Sequence, residues 1–408
     1  MHPPEDGVSA DLTTQHRLLF RSAADLDDLA DETVDLIVTS PPYPMIEMWD
    51  ETFAEQDDEA AAALAAGDGP RAFSRMHELL LRAWRQCHRV LRPGGLACIN
   101  VGDATRSDAR GFRLYPNHSR IIEHCTEIGF ETLPAILWRK QTNAPNKFMG
   151  SGMLPAGAYV TLEHEYILVF RKGGKREFGA AATARRRESA FFWEERNQWF
   201  SDLWDFKGVR QMRSGGGRRP GEGPGEGRSK LRERSGAFPF ELAYRLILMY
   251  SLREDVVLDP FVGTGTTTAA AVAAARNSIG VELRPELESE IVETVRHAAL
   301  ETNGRVRDRI AAHLRFIAER EKEGKAPPKH RNARHGFPVM TGQETELRLS
   351  YLGELRFDGE GRFTATYRDI AEVATREGAQ APSELSEPWP SEPPPPRVSG
   401  FPRTQPPE

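Results

Sequence analysis

Residues 256–283 have the pattern of a parallel βαβ unit, which constrains the fold more than any other segment of this 408-residue chain. The apolar residues 256–259 indicate a buried strand, and a turn containing Gly263 and Gly265 follows it. An alanine-rich helix and a second apolar strand that ends at Glu282 complete the unit. Because a helix that connects two neighbouring strands makes them parallel, this pattern predicts an α/β fold with a parallel sheet.

The glycine turn of this unit also predicts a ligand site. Gly263 and Gly265 allow the backbone to approach a ligand closely at a helix N-terminus. Glu282 follows the first glycine by about 20 residues, where an acidic side chain can bind ribose hydroxyls. NAD is the main alternative ligand, but threonines at 266–268 replace the third glycine of the dinucleotide fingerprint, and the lysine of a phosphate-binding loop is absent. The unit therefore favours a nucleoside.

A second apolar strand ends at two prolines. Residues 35–39 are typical of a buried strand, and Ser40, Pro41, Pro42 and Tyr43 follow directly. Proline lacks the N–H group that a strand ladder requires, so the strand must end there. The segment leaves the carbonyls of Ser40 and Pro41 as acceptors beside a hydroxyl and an aromatic ring. These groups suit a flat ring that carries an amino group.

Together the two motifs resemble one protein family, the amino-group DNA methyltransferases. Residues 259–266 (Asp-Pro-Phe-Val-Gly-Thr-Gly-Thr) are similar to the family's motif for S-adenosyl-L-methionine (AdoMet), and residues 39–43 (Thr-Ser-Pro-Pro-Tyr) resemble its catalytic motif. The catalytic motif comes first, which is the permuted, β-type order. The resemblance continues through residues 91–103, 165–172 and 237–247, covers about residues 15–290, and ends after about residue 300.

The resemblance implies a Rossmann-like, AdoMet-dependent methyltransferase sheet with an inserted DNA-recognition region and a C-terminal extension. It also implies methyl transfer to an exocyclic amino group of a flipped base in double-stranded DNA. A serine at position 40, rather than Asp or Asn, favours N4 of cytosine. N6 of adenine is the alternative, and a DNA-binding relative without catalytic activity is a third hypothesis.

The same resemblance assigns roles to individual residues. Catalysis is assigned to Ser40, Pro41, Pro42 and Tyr43. AdoMet binding is assigned to Asp259, Phe261, Gly263, Gly265, Thr266 and Glu282, with Phe238 and Pro239 near the methionine end.

Charge is segregated along the chain, whose net charge is −6. Residues 1–70 contain 17 acidic and 2 basic residues, whereas residues 172–235 contain 9 acidic and 16 basic ones. Residues 301–335 contain 5 acidic and 10 basic residues. A basic face suits a polyanion. Because aromatic residues are interleaved with the basic ones in residues 173–235, we predict that this region contacts DNA, with Arg185, Arg186 and Arg187 on phosphates.

Shifts in composition predict six segments. They are a polar tail (1–14), the catalytic half of the methyltransferase domain (15–172), the target-recognition region (173–235) with a disordered stretch (214–227), the AdoMet-binding half (236–300), a basic extension (301–380) and a proline-rich disordered tail (381–408). Apolar residues at helical spacing predict a helix over 72–92, and apolar runs predict a hairpin of strands at 131–138 and 165–172.

The cysteines and hydropathy exclude other classes. Cys87, Cys98 and Cys125 are odd in number and scattered, which indicates a reducing cytoplasm without disulfides. None lies in a Pro-Cys-Gln setting, which excludes a C5-cytosine methyltransferase with a cysteine nucleophile. We expect no metal site, since no ligand spacing is present, and no membrane association, since no apolar run approaches 18 residues. A cognate restriction endonuclease remains open as a partner.

Overall fold

The computed structural model describes residues 12–108, 111–140, 149–150, 153–206, 238–370 and 395–401. The stretch predicted to be disordered, 214–227, lies outside the described residues, as does most of the predicted tail at 381–408. The first strand, Leu12–Phe20, begins within the predicted N-terminal tail, because its backbone pairs with a strand on either side. That tail was therefore predicted three residues too long.

The described residues form strands and helices in mixed order. The strands are β1 (Leu12–Phe20), β2 (Val34–Thr39), β3 (Leu91–Val101), β4 (Ala104–Asp108), β5 (Gly111–Tyr115), β6 (Phe130–Arg139), β7 (Met149–Gly150), β8 (Ala158–Tyr159), β9 (His164–Lys172), β10 (Leu203–Asp205), β11 (Val256–Asp259), β12 (Asn277–Glu282), β13 (His330–Arg331), β14 (Pro338–Val339), β15 (Ser350–Gly359), β16 (Arg362–Asp369) and β17 (Arg397–Ser399). The helices are α1 (Asp50–Ala54), α2 (Asp58–Ala65), α3 (Gly69–Val90), α4 (Asn117–Ile128), α5 (Ala180–Glu188), α6 (Trp193–Trp199), α7 (Phe240–Tyr250), α8 (Thr266–Ala273) and α9 (Glu288–Lys322). Within the described ranges, no helix combines the length and apolar character that crossing a membrane requires.

An eleven-stranded sheet has the order β10-β6-β9-β3-β2-β11-β12-β1-β16-β15-β17. The strands from β3 to β1 in this order are parallel, as the α/β prediction requires. Strand β9 is antiparallel to both β3 and β6, which confirms the predicted hairpin. The antiparallel pair β15–β16 extends the sheet beyond β1. Part of the predicted basic extension is thus built into the central sheet.

Strands β2 and β11 are neighbours at the middle of the sheet, and the chain leaves them in opposite directions. From β2 it passes through α3 to β3, and from β11 it passes through α8 to β12 on the other side. Such a divergence leaves a crevice at the carboxyl ends of the two strands, where α/β sheets bind ligands. Both sequence motifs reach this crevice, since β2 ends at Thr39 and β11 at Asp259.

Buried apolar side chains cover both faces of the sheet. Ile37 belongs to one core cluster with Trp84 of α3, and Leu36 belongs to another with Leu246 of α7 and Ala270 of α8. Successive residues of β2 therefore face different helical layers, which explains why this strand is apolar throughout. Helix α3 confirms the helix predicted over 72–92.

The described part of the predicted recognition region packs on the C-terminal extension. The Arg309 guanidinium on α9 donates two hydrogen bonds to the Glu195 carboxylate on α6, at 2.6 and 2.8 Å. Glu194 Oε1 lies 2.8 Å from Nδ1 of His313, whose side chain has no exposed surface. These contacts join two segments that the sequence predicted to be separate.

Three aromatic residues of the predicted recognition region are buried in the protein. Phe192, Trp199 and Trp204 are only 0%, 5% and 2% exposed. The Phe192 ring stacks on His313 with ring centroids 4.1 Å apart, and Trp204 Nε1 donates to the Trp199 carbonyl at 3.0 Å. These three rings pack in the core and so do not support DNA recognition, while contact of residues 173–235 with DNA stays a prediction.

Candidate active site

The buried Asp259 carboxylate joins the ends of β2 and β11. Thr39 Oγ1 donates to Asp259 Oδ1 at 2.6 Å, and Thr267 Oγ1 donates to Oδ2 at 2.5 Å. The Phe261 backbone N–H also donates to Oδ1, at 3.0 Å. Burial raises the pKa of Asp259 to about 6, although these three donors oppose the rise. The carboxylate thus ties the proline motif to the glycine turn.

The two glycines of the turn have different surroundings. Both have positive φ, +54° at Gly263 and +91° at Gly265. A Cβ at Gly265 would lie 2.7 Å from Cγ2 of Ile291 on α9, so this glycine is required for packing. A Cβ at Gly263 would meet nothing nearer than the Phe261 carbonyl oxygen, 3.9 Å away. Gly263 is therefore the position that leaves space for a ligand.

A cavity of about 360 Å³ lies at the crevice, within the usual size range of small-molecule sites. It brings the two motifs together, because Ser40 and Pro42 line it along with Phe261, Gly263 and Glu282. Much of the remaining wall is apolar or small and was not anticipated from the sequence: Ala23, Ala24, Trp49, Phe53, Leu79, Leu80, Ala83 and Leu287.

Glu282 presents a carboxylate to this cavity. Its Oε2 accepts a hydrogen bond from the Gly263 backbone N–H at 3.1 Å, and its Oε1 accepts one from the Arg284 N–H at 3.0 Å. Burial raises the pKa of Glu282, and these backbone donors oppose the rise. Each oxygen keeps capacity for a further donor. The arrangement fits the ribose hydroxyls of a nucleoside in an otherwise apolar cavity.

The cavity separates the predicted cofactor residues into two groups. Phe261, Gly263 and Glu282 line it. The others are not among its described lining residues: Asp259, Gly265, Thr266, Phe238 and Pro239. Phe238 and Pro239 are buried at the start of α7, and Thr266 is the first residue of α8.

Tyr43 belongs to a hydrogen-bond network beside the cavity. Ser40 Oγ donates to the Tyr43 hydroxyl at 3.0 Å, which in turn donates to Glu165 Oε2 at 3.1 Å. Asn100 Nδ2 donates to both the Tyr43 oxygen and Glu165 Oε2, at 2.9 and 2.6 Å. Lys140 forms an ion pair with Glu165 Oε1. Burial and then the charge of Glu165 raise the pKa of Tyr43, so the phenol stays protonated.

The sequence did not assign roles to Asn100, Lys140 and Glu165. Asn100 lies near the end of β3 and Glu165 near the start of the antiparallel β9, so both reach the edge where β2 ends. Both are buried, at 2% and 8% exposure. A buried polar residue at the end of an apolar strand was the available signal, but its partners lie 57 or more residues away in sequence.

The three arginines expected to bind phosphate lie near the amino ends of the parallel strands, opposite the cavity. They are on α5, where Arg185 lies 3.9 Å from Glu254 and Arg187 lies 3.1 Å from Glu346. Glu254 precedes the start of β11, whereas the cavity lies beyond its carboxyl end. The fold therefore does not bring Arg185, Arg186 or Arg187 to the cavity.

Comparison with known proteins identifies related sequences and structures. The family model described as DNA methylase, of the N6/N4 methyltransferase type, matches residues 34–293. The type II methyltransferase M.MthZI of Methanothermobacter thermautotrophicus is 46% identical over 362 residues, which cover 88% of this chain and 97% of the relative. M.MjaI of Methanocaldococcus jannaschii, also a type II methyltransferase, is 46% identical over 303 residues, covering 71% of this chain and 93% of the relative.

A solved structure is also similar to this chain. TTHA0409 of Thermus thermophilus, complexed with S-adenosyl-L-methionine, has a TM-score of 0.52 and 30% identity, covering 69% of this chain and 95% of its own. The central sheet thus resembles that of a structure holding this molecule. The 88% of this chain matched by M.MthZI exceeds what residues 1–300 can supply. The similarity therefore continues past residue 300, where the sequence predicted that it ends.

Proposed function

This chain belongs to the N6/N4 DNA methylase family, and on that premise we propose that it transfers a methyl group from AdoMet to N4 of a cytosine in double-stranded DNA. The observation that carries the proposal is that Ser40 and Pro42 line one cavity with Gly263 and Glu282. Methyl transfer between two bound molecules requires both reacting groups in one site, held in reacting geometry. The cavity joins the motif suited to an amino group with the motif suited to a nucleoside.

The residues at the glycine turn fit AdoMet, which supplies an electrophilic methyl group when bound. Glu282 would hold the ribose hydroxyls through the acceptor capacity that its backbone donors leave free. Gly263 would allow the backbone to approach the cofactor, and Phe261 would contribute an apolar wall. Asp259 would act indirectly, because its carboxylate is engaged in holding the turn.

The residues of the proline motif would receive the target base. Flipping a base out of the duplex costs a few kcal/mol, and stacking on an aromatic ring such as that of Tyr43 offsets about 1–3 kcal/mol of it. The Ser40 hydroxyl and the Pro41 carbonyl would accept hydrogen bonds from the amino group and direct its lone pair at the methyl carbon. No strong base is needed before transfer, since the proton can leave after the nitrogen becomes positively charged. Positioning and charge placement would supply most of the rate.

The choice of cytosine rests on Ser40, since serine at this position of the motif is typical of N4-cytosine members of the family. The two relatives named type II methyltransferases support a role in modification, and a restriction endonuclease of matching specificity is part of this proposal. The described residues of the predicted recognition region include α6, which packs on α9. Base reading by 173–235 remains a prediction.

Mass spectrometry of nucleosides tests the proposal directly. Unmethylated duplex DNA is incubated with the purified chain and AdoMet, then digested to nucleosides. We expect N4-methylcytosine, and Ser40→Ala should abolish most of it. N6-methyladenine instead would change the target base, whereas AdoMet binding without any methylated nucleoside would identify an inactive relative. Single-molecule sequencing of DNA from cells expressing the chain would give the recognised site.

A further inference from the structure

A chain of hydrogen bonds leads from the cavity to Glu165, a buried carboxylate that methyl transfer does not itself require. We propose that Glu165 is a positioning residue, which acts through Tyr43 to turn the lone pairs of the Ser40 hydroxyl, and not its proton, toward the target base. The inference rests on the proposed function, because it needs an amino group in the cavity.

The Tyr43 hydroxyl is the central group of this hydrogen-bond chain and has three partners. Its oxygen lies 3.0 Å from Ser40 Oγ, 2.9 Å from Asn100 Nδ2 and 3.1 Å from Glu165 Oε2. A phenol has one proton to donate and two lone pairs to accept with. Three partners therefore fill its capacity completely.

The chemistry of the partners fixes the direction of each bond. An amide nitrogen only donates, and an ionised carboxylate only accepts. Asn100 must present its nitrogen here, since the same atom lies 2.6 Å from Glu165 Oε2, where an amide oxygen would repel the carboxylate. The Tyr43 proton can then go only to Glu165, and the bond from Ser40 must be donated by its hydroxyl.

The direction of the chain determines what Ser40 offers to a ligand. Its single proton is committed to Tyr43, so only lone pairs remain for the cavity that Ser40 lines. An atom bound there must carry an N–H group, as N4 of cytosine and N6 of adenine do. O4 of thymine and O6 of guanine are acceptors and would be rejected. Glu165 would thus contribute to choosing amino bases as a class.

Lys140 completes the arrangement on the far side of Glu165. Its ammonium group pairs with Oε1, while Oε2 accepts from Tyr43 and Asn100. The ammonium group can only donate, so it occupies Oε1 and leaves Oε2 to accept from the Tyr43 side. The hydrogen bonds therefore run in one direction, from Ser40 through Tyr43 to Glu165, as long as the ion pair between Lys140 and Glu165 is intact.

Substitutions at Glu165 and Tyr43 test the proposal as a double-mutant cycle. In Glu165→Gln an amide nitrogen can donate to Tyr43, which would reverse the chain and turn the Ser40 proton toward the base. We expect kcat to fall about 10-fold to 100-fold, with the AdoMet Kd and the KM for DNA nearly unchanged. Tyr43→Phe should lower kcat similarly by breaking the chain. The double variant should be no slower than Tyr43→Phe, because a broken chain cannot be reversed.

Two further variants separate positioning from folding. Glu165→Asp keeps an acceptor-only group and should recover part of the kcat lost in Glu165→Gln. Glu131→Gln is the matched control, since Glu131 pairs with Arg171 across the same two strands at the opposite sheet edge, and its kcat should equal that of wild type. Thermal unfolding and AdoMet titration of each variant report its folding.

Defined outcomes would overturn the inference. A wild-type kcat in Glu165→Gln would do so, as would losses that multiply in the double variant or that affect AdoMet affinity as much as kcat. If the wild-type product is N6-methyladenine, the assignment of the base fails while the cycle still tests Glu165. A wild-type protein that methylates no amino group would overturn both proposals. An active wild-type protein, combined with kcat losses that multiply in the double variant, would overturn only this one.

Discussion

Carboxylates lie at both edges of the parallel sheet, the amino edge where the strands begin and the carboxyl edge where they end, but their charges are balanced differently. At the amino edge, the Arg176 guanidinium lies 3.1 Å from Asp35 and 2.6 Å from Asp255, where β2 and β11 begin. At the carboxyl edge, Asp259 and Glu282 are held by hydroxyl and backbone N–H groups, and within the described residues neither forms an ion pair. Arginines close the amino-edge carboxylates, whereas neutral donors hold the two carboxylates of the βαβ unit; Glu165, also at the carboxyl edge, pairs instead with Lys140.

The difference separates stability from ligand binding. A guanidinium both neutralises a carboxylate and fills its acceptor positions, so such a pair contributes to the fold and offers little to a ligand. Neutral donors orient a carboxylate and leave its charge for a partner. Changes to groups that line the cavity at the carboxyl edge should therefore affect binding or turnover, and changes at the amino edge should affect stability.

The two glycines of the turn should respond in opposite ways. Gly263→Val places a β-branched side chain at positive φ in the wall of the cavity, and we expect AdoMet binding to be lost in a folded protein. Gly265→Ala instead places a Cβ against Ile291, and we expect about 1–3 kcal/mol of lost stability with AdoMet binding retained once folded. Calorimetric titration and denaturant unfolding measure the two effects. Normal AdoMet affinity in Gly263→Val would contradict the assignment of this glycine.

Ser40→Ala should lower turnover without weakening cofactor binding. In the proposed reaction the hydroxyl would contact the base and not AdoMet, so we expect kcat to fall about 10²-fold or more with the AdoMet Kd unchanged. Pro41→Ala should be milder, because the backbone carbonyl that accepts from the amino group survives. Single-turnover methylation of a fixed duplex measures both. Unchanged turnover in Ser40→Ala would remove this hydroxyl from catalysis.

At the side remote from the cavity, Glu194→Gln should affect stability and its pH dependence. His313 is flanked by two acceptors, Glu194 Oε1 and the Pro338 carbonyl, each 2.8 Å from a ring nitrogen. Burial lowers the pKa of His313, but these hydrogen bonds outweigh it and the net pKa is raised. The stabilisation is therefore fully present below the unfolded pKa of about 6.5 and is lost as pH rises through the folded pKa.

We expect Glu194→Gln to lose about 1–3 kcal/mol at pH 6 and to show a weaker decline of stability above pH 6.5 than wild type. Denaturant unfolding between pH 6 and 9 measures this. Glu301→Gln is the control, because its ion pair with Arg305 is exposed on the same helix and should contribute little. Identical pH profiles for Glu194→Gln and wild type would show that His313 is not protonated in this contact.

Neutralising Arg185, Arg186 and Arg187 together should have the smallest effect on methylation. Since α5 lies at the amino edge, we expect turnover and AdoMet affinity to remain near wild type. The salt dependence of DNA affinity decides whether the duplex nonetheless reaches this helix, because each lost phosphate contact lowers the log–log slope by about 0.9. A slope reduced by two or more would restore these arginines as a DNA-binding face and would break the division between the edges.

Local signals accounted for much of the fold. The apolar spacing of residues 72–92 predicted α3, and the prolines at 41 and 42 predicted the end of β2. These features could be inferred because helical periodicity and missing backbone donors act within a few residues. The burial of Phe192, Trp199 and Trp204 could not be inferred, for the opposite reason. Phe192, for example, is apolar whether it packs against His313 or against a base, and sequence does not distinguish the two.

The sequence by itself determined the βαβ unit, and it predicted the two motifs and the chemistry that each suits. Only the tertiary structure decided which residues of those motifs reach the cavity, because Asp259 and Gly265 are used instead to hold the turn and to pack α9. It also placed Glu165 beside Tyr43, 122 residues away in sequence. Strand order brings such residues together, and strand order depends on which faces and edges can be buried at once, which no local pattern contains.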